Sequence, residues 1–326
     1  DGWFNSLGDI HIGPGDVSVQ GTPLTRTYDV RGPLAVEVAV DVGDIVVVRG
    51  GGVRATVVVT PTAHAADRDA GLAALAAISP TIELAGGRLV VRWSDAPSRQ
   101  RRRATGALDV FIRLPDAVSA TLAARTHAGD IAARGLGGAV VAETDFGDVD
   151  VAGSRGGVHA SSASGDITVD DVDAPSADVA LRTEFGDVRL SRLRAAAVRA
   201  ESSSGDLAAN DVEATGAAGL TLRTRFGDLE GAGIDARTVA ASSDSGDVRL
   251  ALRRLAGPVE AATRFGDVDV TLPAGAGADA VLTTRFGALH APFVAGRARD
   301  DTARGEPVTG RIGAGGPAVT LSTDSG

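Results

Sequence analysis

Two tripeptides invite a chemical reading first. Asp244-Ser245-Gly246 and Asp324-Ser325-Gly326 repeat the Asp-Ser-Gly that aspartic proteases use in pairs. That chemistry needs two carboxylates sharing one proton at close range. In sister segments the same position holds Ala163, Ser203 and Arg225, which predicts an edge-of-strand position instead. Seven of the aspartates that follow glycines come in tandem: Asp148, Asp166, Asp187, Asp206, Asp228, Asp247 and Asp267. Stacked, they would form a ladder of carboxylates of the kind calcium takes. They suit plain turn chemistry as well, each Asp capping neighbouring N–H groups. The nonapeptide calcium repeat is absent, which favours the turn reading. The five histidines, His11, His64, His127, His159 and His290, are scattered, and no serine sits in a Gly-x-Ser-x-Gly elbow. Gly313, Gly315 and Gly316 lack the Lys-Ser/Thr of a phosphate loop. No catalytic residue and no cofactor is therefore expected, with calcium as the one ligand the aspartates would suit.

The aspartates belong to a repeat. Gly-Asp pairs begin at Gly129, Gly147, Gly165, Gly186, Gly205, Gly227, Gly246 and Gly266, in steps of 18 to 22 residues. Gly287 follows with Ala in place of Asp, Gly310 fits as a degenerate member, and Gly326 closes the series. Positions seven and five before the glycine are apolar, and position three before it is always Ser or Thr. Two after it stand Ile131, Val149, Ile167, Val188, Leu207, Leu229, Val248 and Val268. This alternation is the mark of a strand with one buried face. One such unit cannot bury its face alone, but a stack of units can. The prediction is an all-β fold: a single-stranded parallel β-helix-like solenoid of ~20-residue coils, spaced about 4.8 Å apart. Directly before the glycine, Phe146, Ser164, Phe185, Ser204, Phe226, Ser245, Phe265 and Phe286 alternate large and small, with one break at the end. Parity puts these side chains on the buried face. The sequence thus predicts core packing in which serine on alternate coils gives each ring a recess.

Composition agrees with thin layers. Apolar residues make up 44% but aromatics only 3%, so the core must be Val, Ala and Leu. There is no Cys, hence no disulfide or thiolate chemistry, and all 32 basic residues are Arg. A net charge of −10 argues against a nucleic-acid partner. No stretch of about 18 apolar residues offers a membrane span. The absence of Met fits a processed chain that has lost a signal peptide. The run Arg99-Gln100-Arg101-Arg102-Arg103 reads as an exposed loop.

Three regions follow: 1–27, an N-terminal extension; 28–115, a β-rich region continuous with the solenoid; and 116–326, the solenoid repeats. The middle region contains one short helix within residues 64–79, with Leu72, Leu75 and Ile78 at helical spacing. A hairpin about Gly86-Gly87 follows it, and Gly43-Asp44 is an early corner of the repeat's kind.

Three stretches carry a family resemblance. They are Val110–Ile131, where a strand ending in Leu-Pro enters the first coil, the tandem T-x-S/F-G-D-V series, and Gly310–Gly326. Together, over roughly residues 28–326, they resemble the bacterial adhesin-type (Toastrack) family of extracytoplasmic β-solenoid proteins. The resemblance implies a solenoid outside the cytoplasm, secreted or at the cell surface, and supplies no catalytic residues. Family members usually continue past the last Ser-Gly with Asp and a short strand. Leu7-Gly8-Asp9-Ile10-His11-Ile12 has that strand's spacing. The expectation is therefore a structural or adhesive surface protein that associates with itself. Leu7, Ile10 and Ile12 would complete the C-terminal coil of another copy beside Val319, Leu321 and Thr323, with Trp3 and Phe4 as anchors. Such a head-to-tail contact builds filaments. An envelope-anchored sensor or ligand-binding module, and a polysaccharide lyase, are the other classes. The lyase would need acids and bases clustered on one face, which the scattered charges do not offer.

Overall fold

The computed structural model describes residues 17–94, 104–289 and 307–326. About two thirds of them lie in strands, and the one helix among them is Arg68–Ala77. The Arg99–Arg103 run and residues 1–16 lie outside the described residues. The described residues form two compact units, one up to residue 155 with 160–163, the other 156–159 with those from 164 on.

In the first unit two parallel ladders supply the buried face. Strand Leu34–Val42 pairs with Arg88–Trp93 on one side and Ala120–Ala128 on the other. Past the corner, Ile45–Arg49 lies between Ala104–Leu114 and Ile131–Arg134. Inward residues alternate as the sequence requires: Val36, Val38, Val40, Ile45, Val47, Leu122, Ala124, Ile131 and Ala133 are buried. Gly43-Asp44 is a true corner. Its layer stacks on Leu108-Asp109, with the Asp44 N–H donating to Asp109 Oδ1 at 3.1 Å. Strand Ala55–Ala65 runs antiparallel to Ala104–Leu114, and on its other edge bind Leu24–Tyr28 and Val17–Gln20. Pro61 falls between those two edge pairings, where its missing N–H leaves no ladder bond unmade. The hairpin Thr81–Ala85 with Arg88–Trp93 turns on Gly86 and Gly87, both at positive φ.

The helix is shorter than the apolar spacing suggests, because Ala55–Ala65 takes residues 64 and 65 into a strand. Asp67 caps it by accepting from the Ala70 N–H at 2.7 Å. Leu72 is exposed and Leu75 and Ile78 only half-buried, so the helix lies on the sheet by its Gly71 side.

The second unit is the solenoid in purer form. Before the corner, Val179–Phe185, Val188–Ser204, Leu207–Arg223, Val239–Ser245 and Val259–Phe265 stack in parallel register. The two longest carry one coil's second strand and the next coil's first without a break. At the end the chain leaves sequence order. Ala318–Ser325 inserts between Val259–Phe265 and Ala278–Phe286, parallel to both. Gly310 is not a coil glycine: Val308–Ile312 runs antiparallel to Ala278–Phe286, with Gly310 opposite Ala280. Six coils also bend a second time, four residues after the inward apolar residue: at Gly135, Gly153 and Gly233, with φ of 68–70°, and at Asp171, Arg192 and Asp211, whose φ values of 53°, 51° and 52° are unusual for residues with a Cβ.

Candidate functional site

The Gly-Asp corner is built the same way in every layer. The glycines hold φ between 132° and 154° from Gly43 to Gly287. A Cβ on Gly205 would lie 2.0 Å from the Gly186 carbonyl oxygen, so both the φ and the close backbone approach demand glycine. One side chain on each flank ties layer to layer. Asp44, Asp130, Asp166, Asp187, Asp206, Asp228 and Asp247 accept through Oδ1 from the backbone N–H of the next layer's aspartate, at 2.8–2.9 Å. This is turn chemistry carried from coil to coil. No three acidic or imidazole groups among the described residues converge into a metal cage.

Three residues before the glycine, the hydroxyl column points inward. Thr144, Ser162, Thr183, Ser202, Thr224, Ser243, Thr263 and Thr323 donate to the glycine carbonyl of the preceding layer, at 2.9–3.1 Å. Thr284 is the exception. It is wholly buried, and its hydroxyl has no partner among the described residues.

Directly before the glycine the expectation fails. Phe146, Phe185, Phe226, Phe265 and Phe286 are 56%, 62%, 62%, 62% and 73% exposed, so these rings are not core. Ser164, Ser204 and Ser325 are exposed as well, and Ser245 is half-buried. The reason is the corner itself. Parity predicts burial only where core lies beneath the strand, and residues such as Phe185 and Phe265 are the last of their strands, still paired in register but past the inward hydroxyl and directly at the corner. The alternation that seems to break after Phe265 is intact in space. Ser325 pairs with Phe265 on one side and Phe286 on the other, so serine stands between them. In the second unit the column therefore reads Phe185, Ser204, Phe226, Ser245, Phe265, Ser325, Phe286. Beside it, Arg264 stands between the two Asp-Ser-Gly carboxylates, 3.7 Å from Asp244, and Asp324 pairs with Arg285.

Charge elsewhere follows the same stacking. Arg189 bridges Asp166 and Asp187 at 2.9 and 2.7 Å. Burial pushes the Asp166 carboxyl up, but the Asp187 N–H and Arg189 outweigh it and hold the group below the ordinary range. Asp44 behaves oppositely. Burial, reinforced by the charges of Asp109 and Asp130, raises it to about 6 against the Asp130 N–H bond. In the first unit His127 meets Asp145 at 2.6 Å and packs edge-on against Phe146. The pair borders a groove of about 1010 Å³ lined also by Trp93, Arg92 and Arg125. Both members are well exposed, and no serine or threonine hydroxyl is bonded to the His127 ring among the described residues.

At the other end, Val319, Leu321 and Thr323 lie on a strand already paired on both edges. Among the described residues the open edge is the neighbouring short strand, Val268–Thr271, which pairs there with Val248–Leu255 alone. A groove of about 310 Å³ opens along it, lined by Asp267, Val268, Asp269, Leu321 and Gly326 among others. Trp3, Phe4, Leu7, Ile10 and Ile12 lie outside the described residues.

The model of the Toastrack DUF4097 family matches residues 86–326. Among solved structures, a Bacteroides fragilis protein described as a "putative adhesin" is 16% identical, with a TM-score of 0.37, covering 77% of this chain and 96% of its own. A Parabacteroides distasonis protein described in the same words is 13% identical, with a TM-score of 0.38, covering 77% of this chain and 98% of its own. No curated protein matches the chain.

Proposed function

The chain belongs to the Toastrack DUF4097 family, and from that premise we propose that it is a non-catalytic, extracytoplasmic structural or adhesin-like β-solenoid that assembles head to tail by strand addition. The observation that carries this reading is the open edge of Val268–Thr271. Every earlier second strand of the unit, from Ile167 to Val248, begins with a fully buried residue, whereas Val268 and Val270 are only half-buried. The groove along their free side runs to Gly326, which stands at the corner of its own layer with its N–H donating to Phe286 O at 3.0 Å. The partnerless Thr284 hydroxyl lies against the same corner, 3.3 Å from where a Gly287 Cβ would stand. An open parallel edge with apolar residues beside it is a template for another strand. The segment Gly8-Asp9-Ile10-His11-Ile12 matches the spacing of Gly266-Asp267-Val268-Asp269-Val270, so its apolar side chains would enter on the Val268 face.

Negative-stain electron microscopy tests the proposal. The intact chain should form filaments whose axial repeat is about one subunit, and removal of residues 1–16 should abolish them. That deletion leaves the paired strand Val17–Gln20 in place. Filaments that survive it would overturn strand addition. A second reading, a binding module displayed at the cell envelope, is favoured by the exposed aromatic column.

A further inference from the structure

Exposed aromatics on a repeating scaffold need a partner, since large apolar patches on soluble surfaces mark interaction sites. The column of the second unit defines what would fit it. Its layers step by about 4.8 Å, so its rings recur every two layers, about 9.6 Å apart. Between rings stand serines, each leaving a gap one layer high. Gly165 donates to Phe185 O at 2.8 Å, which puts Ser164 in the layer next to Phe185 and makes it the first column residue of this unit. Within this unit the order is then Ser164, Phe185, Ser204, Phe226, Ser245, Phe265, Ser325, Phe286.

This order has an uncommon property. It is strictly alternating and even in length, so reversing it exchanges every Phe for a Ser. We infer that the column is the interface of a side-by-side, two-fold dimer of this chain, with the two columns antiparallel and their rings interleaved. About an axis between the Phe226 and Ser245 layers, Phe226 faces Ser245 of the partner subunit, Phe265 faces Ser204 of the partner subunit, and Phe185 faces Ser325 of the partner subunit. Phe286 faces Ser164 of the partner subunit. All four rings of each copy find a recess, and the contact is isologous, so it closes at two copies. Interleaving brings rings to successive layers about 4.8 Å apart, within the range of favourable aromatic pairs. Beside the rings, Arg225 meets Asp244 of the partner subunit at the same axis. On the other flank the aspartate columns of the two copies face each other. Asp187 and Asp247 are already paired with Arg189 and Arg249 within their own chain, which blunts but does not remove the repulsion. The dimer should accordingly tighten as salt screens those columns. The face and the contact are independent of the strand-addition groove, so either can fail without the other.

The chain has no cysteine, so a single Ser245→Cys gives a clean reporter. In the proposed dimer the two introduced thiols lie one layer apart across the axis, within reach of a short bis-maleimide. Cross-linked dimer, confirmed by light scattering of the intact chain and increasing with salt, is the expected result. Adding Phe226→Ser should weaken association by more than ~100-fold, because each dimer loses two ring burials. Ser204→Phe decides between this contact and nonspecific stickiness. It adds exposed apolar surface, yet it fills the recess for Phe265 and must also weaken the dimer. A monomer at all concentrations and salts, or stronger association on Ser204→Phe, would overturn the proposal. Circular dichroism melting shows whether each variant remains folded.

Discussion

Two columns stand two residues apart at every corner, and they share the same parity. The inner one, Ser or Thr throughout, is buried but for the half-buried Thr323 and, Thr284 apart, bonded to the preceding layer. The outer one alternates Phe and Ser and is exposed. By residue type the reverse would be expected, with rings inside and hydroxyls outside. The inner site is polar because the close approach of successive corners brings a carbonyl into the core, and a buried carbonyl needs a donor. The outer site is free to be apolar because it contributes nothing to the stack. The difference teaches that regularity in a repeat marks two separate things: what the fold requires, and what the surface displays.

The comparison can be broken at its hinge. Gly205→Val puts a Cβ against the Gly186 carbonyl at a φ of 154°, and should destabilise by about 3 kcal/mol or more in urea unfolding. A loss under 1 kcal/mol would mean the corner can shift. Next in size is Thr183→Val, which keeps the shape but strips the donor from the Gly165 carbonyl. It should cost about 1–3 kcal/mol, while the matching outer change Phe185→Ser should stay within about 0.5 kcal/mol. Equal effects on unfolding would erase the distinction between the columns. The third concerns the aspartates. Asp44 is largely buried and its carboxyl is raised to about 6. The folded state therefore holds that proton more tightly than the unfolded state. Its contribution to stability is full below the ordinary carboxylate value of 3.8 and is lost as pH rises through about 6. Asp44→Asn keeps the Oδ1 acceptor for the Asp130 N–H and should melt higher than the parent at pH 7.5, with the gap closing by pH 4. The smallest effect sharpens the outer column. Ser204→Phe leaves the folded monomer's stability unchanged within about 0.5 kcal/mol, because its position is exposed rather than core. Clear destabilisation would restore the core-packing reading.

Much of the fold was legible because period-two alternation and a recurrent glycine are local signals. Positions seven, five and three before the glycine, and two after it, fall inside as spaced except at the last layers, where Val268, Leu321 and Thr323 are half-buried, and the Gly43-Asp44 corner is read correctly from one dipeptide. Three features were not legible. The exposure of the rings depends on where the core ends beneath a strand that is still paired, which parity counting cannot see. The second bend has glycine at Gly135, Gly153 and Gly233 but Asp171, Arg192 and Asp211 in the coils between, so no single residue type marks it. The helix's apolar spacing did not reveal that it seats by Gly71, close against Val19.

By itself the sequence determined the layered β architecture, because alternation and corner glycines act within a few residues of each other. It also determined the absence of thiol chemistry. Layer order was decided only in three dimensions. Ala318–Ser325 inserts between strands that precede it in the chain, and in doing so it restores the Phe-Ser alternation that the linear sequence interrupts. Hydrogen-bond pairing between distant strands sets that order, so the continuous aromatic column exists only in the folded molecule.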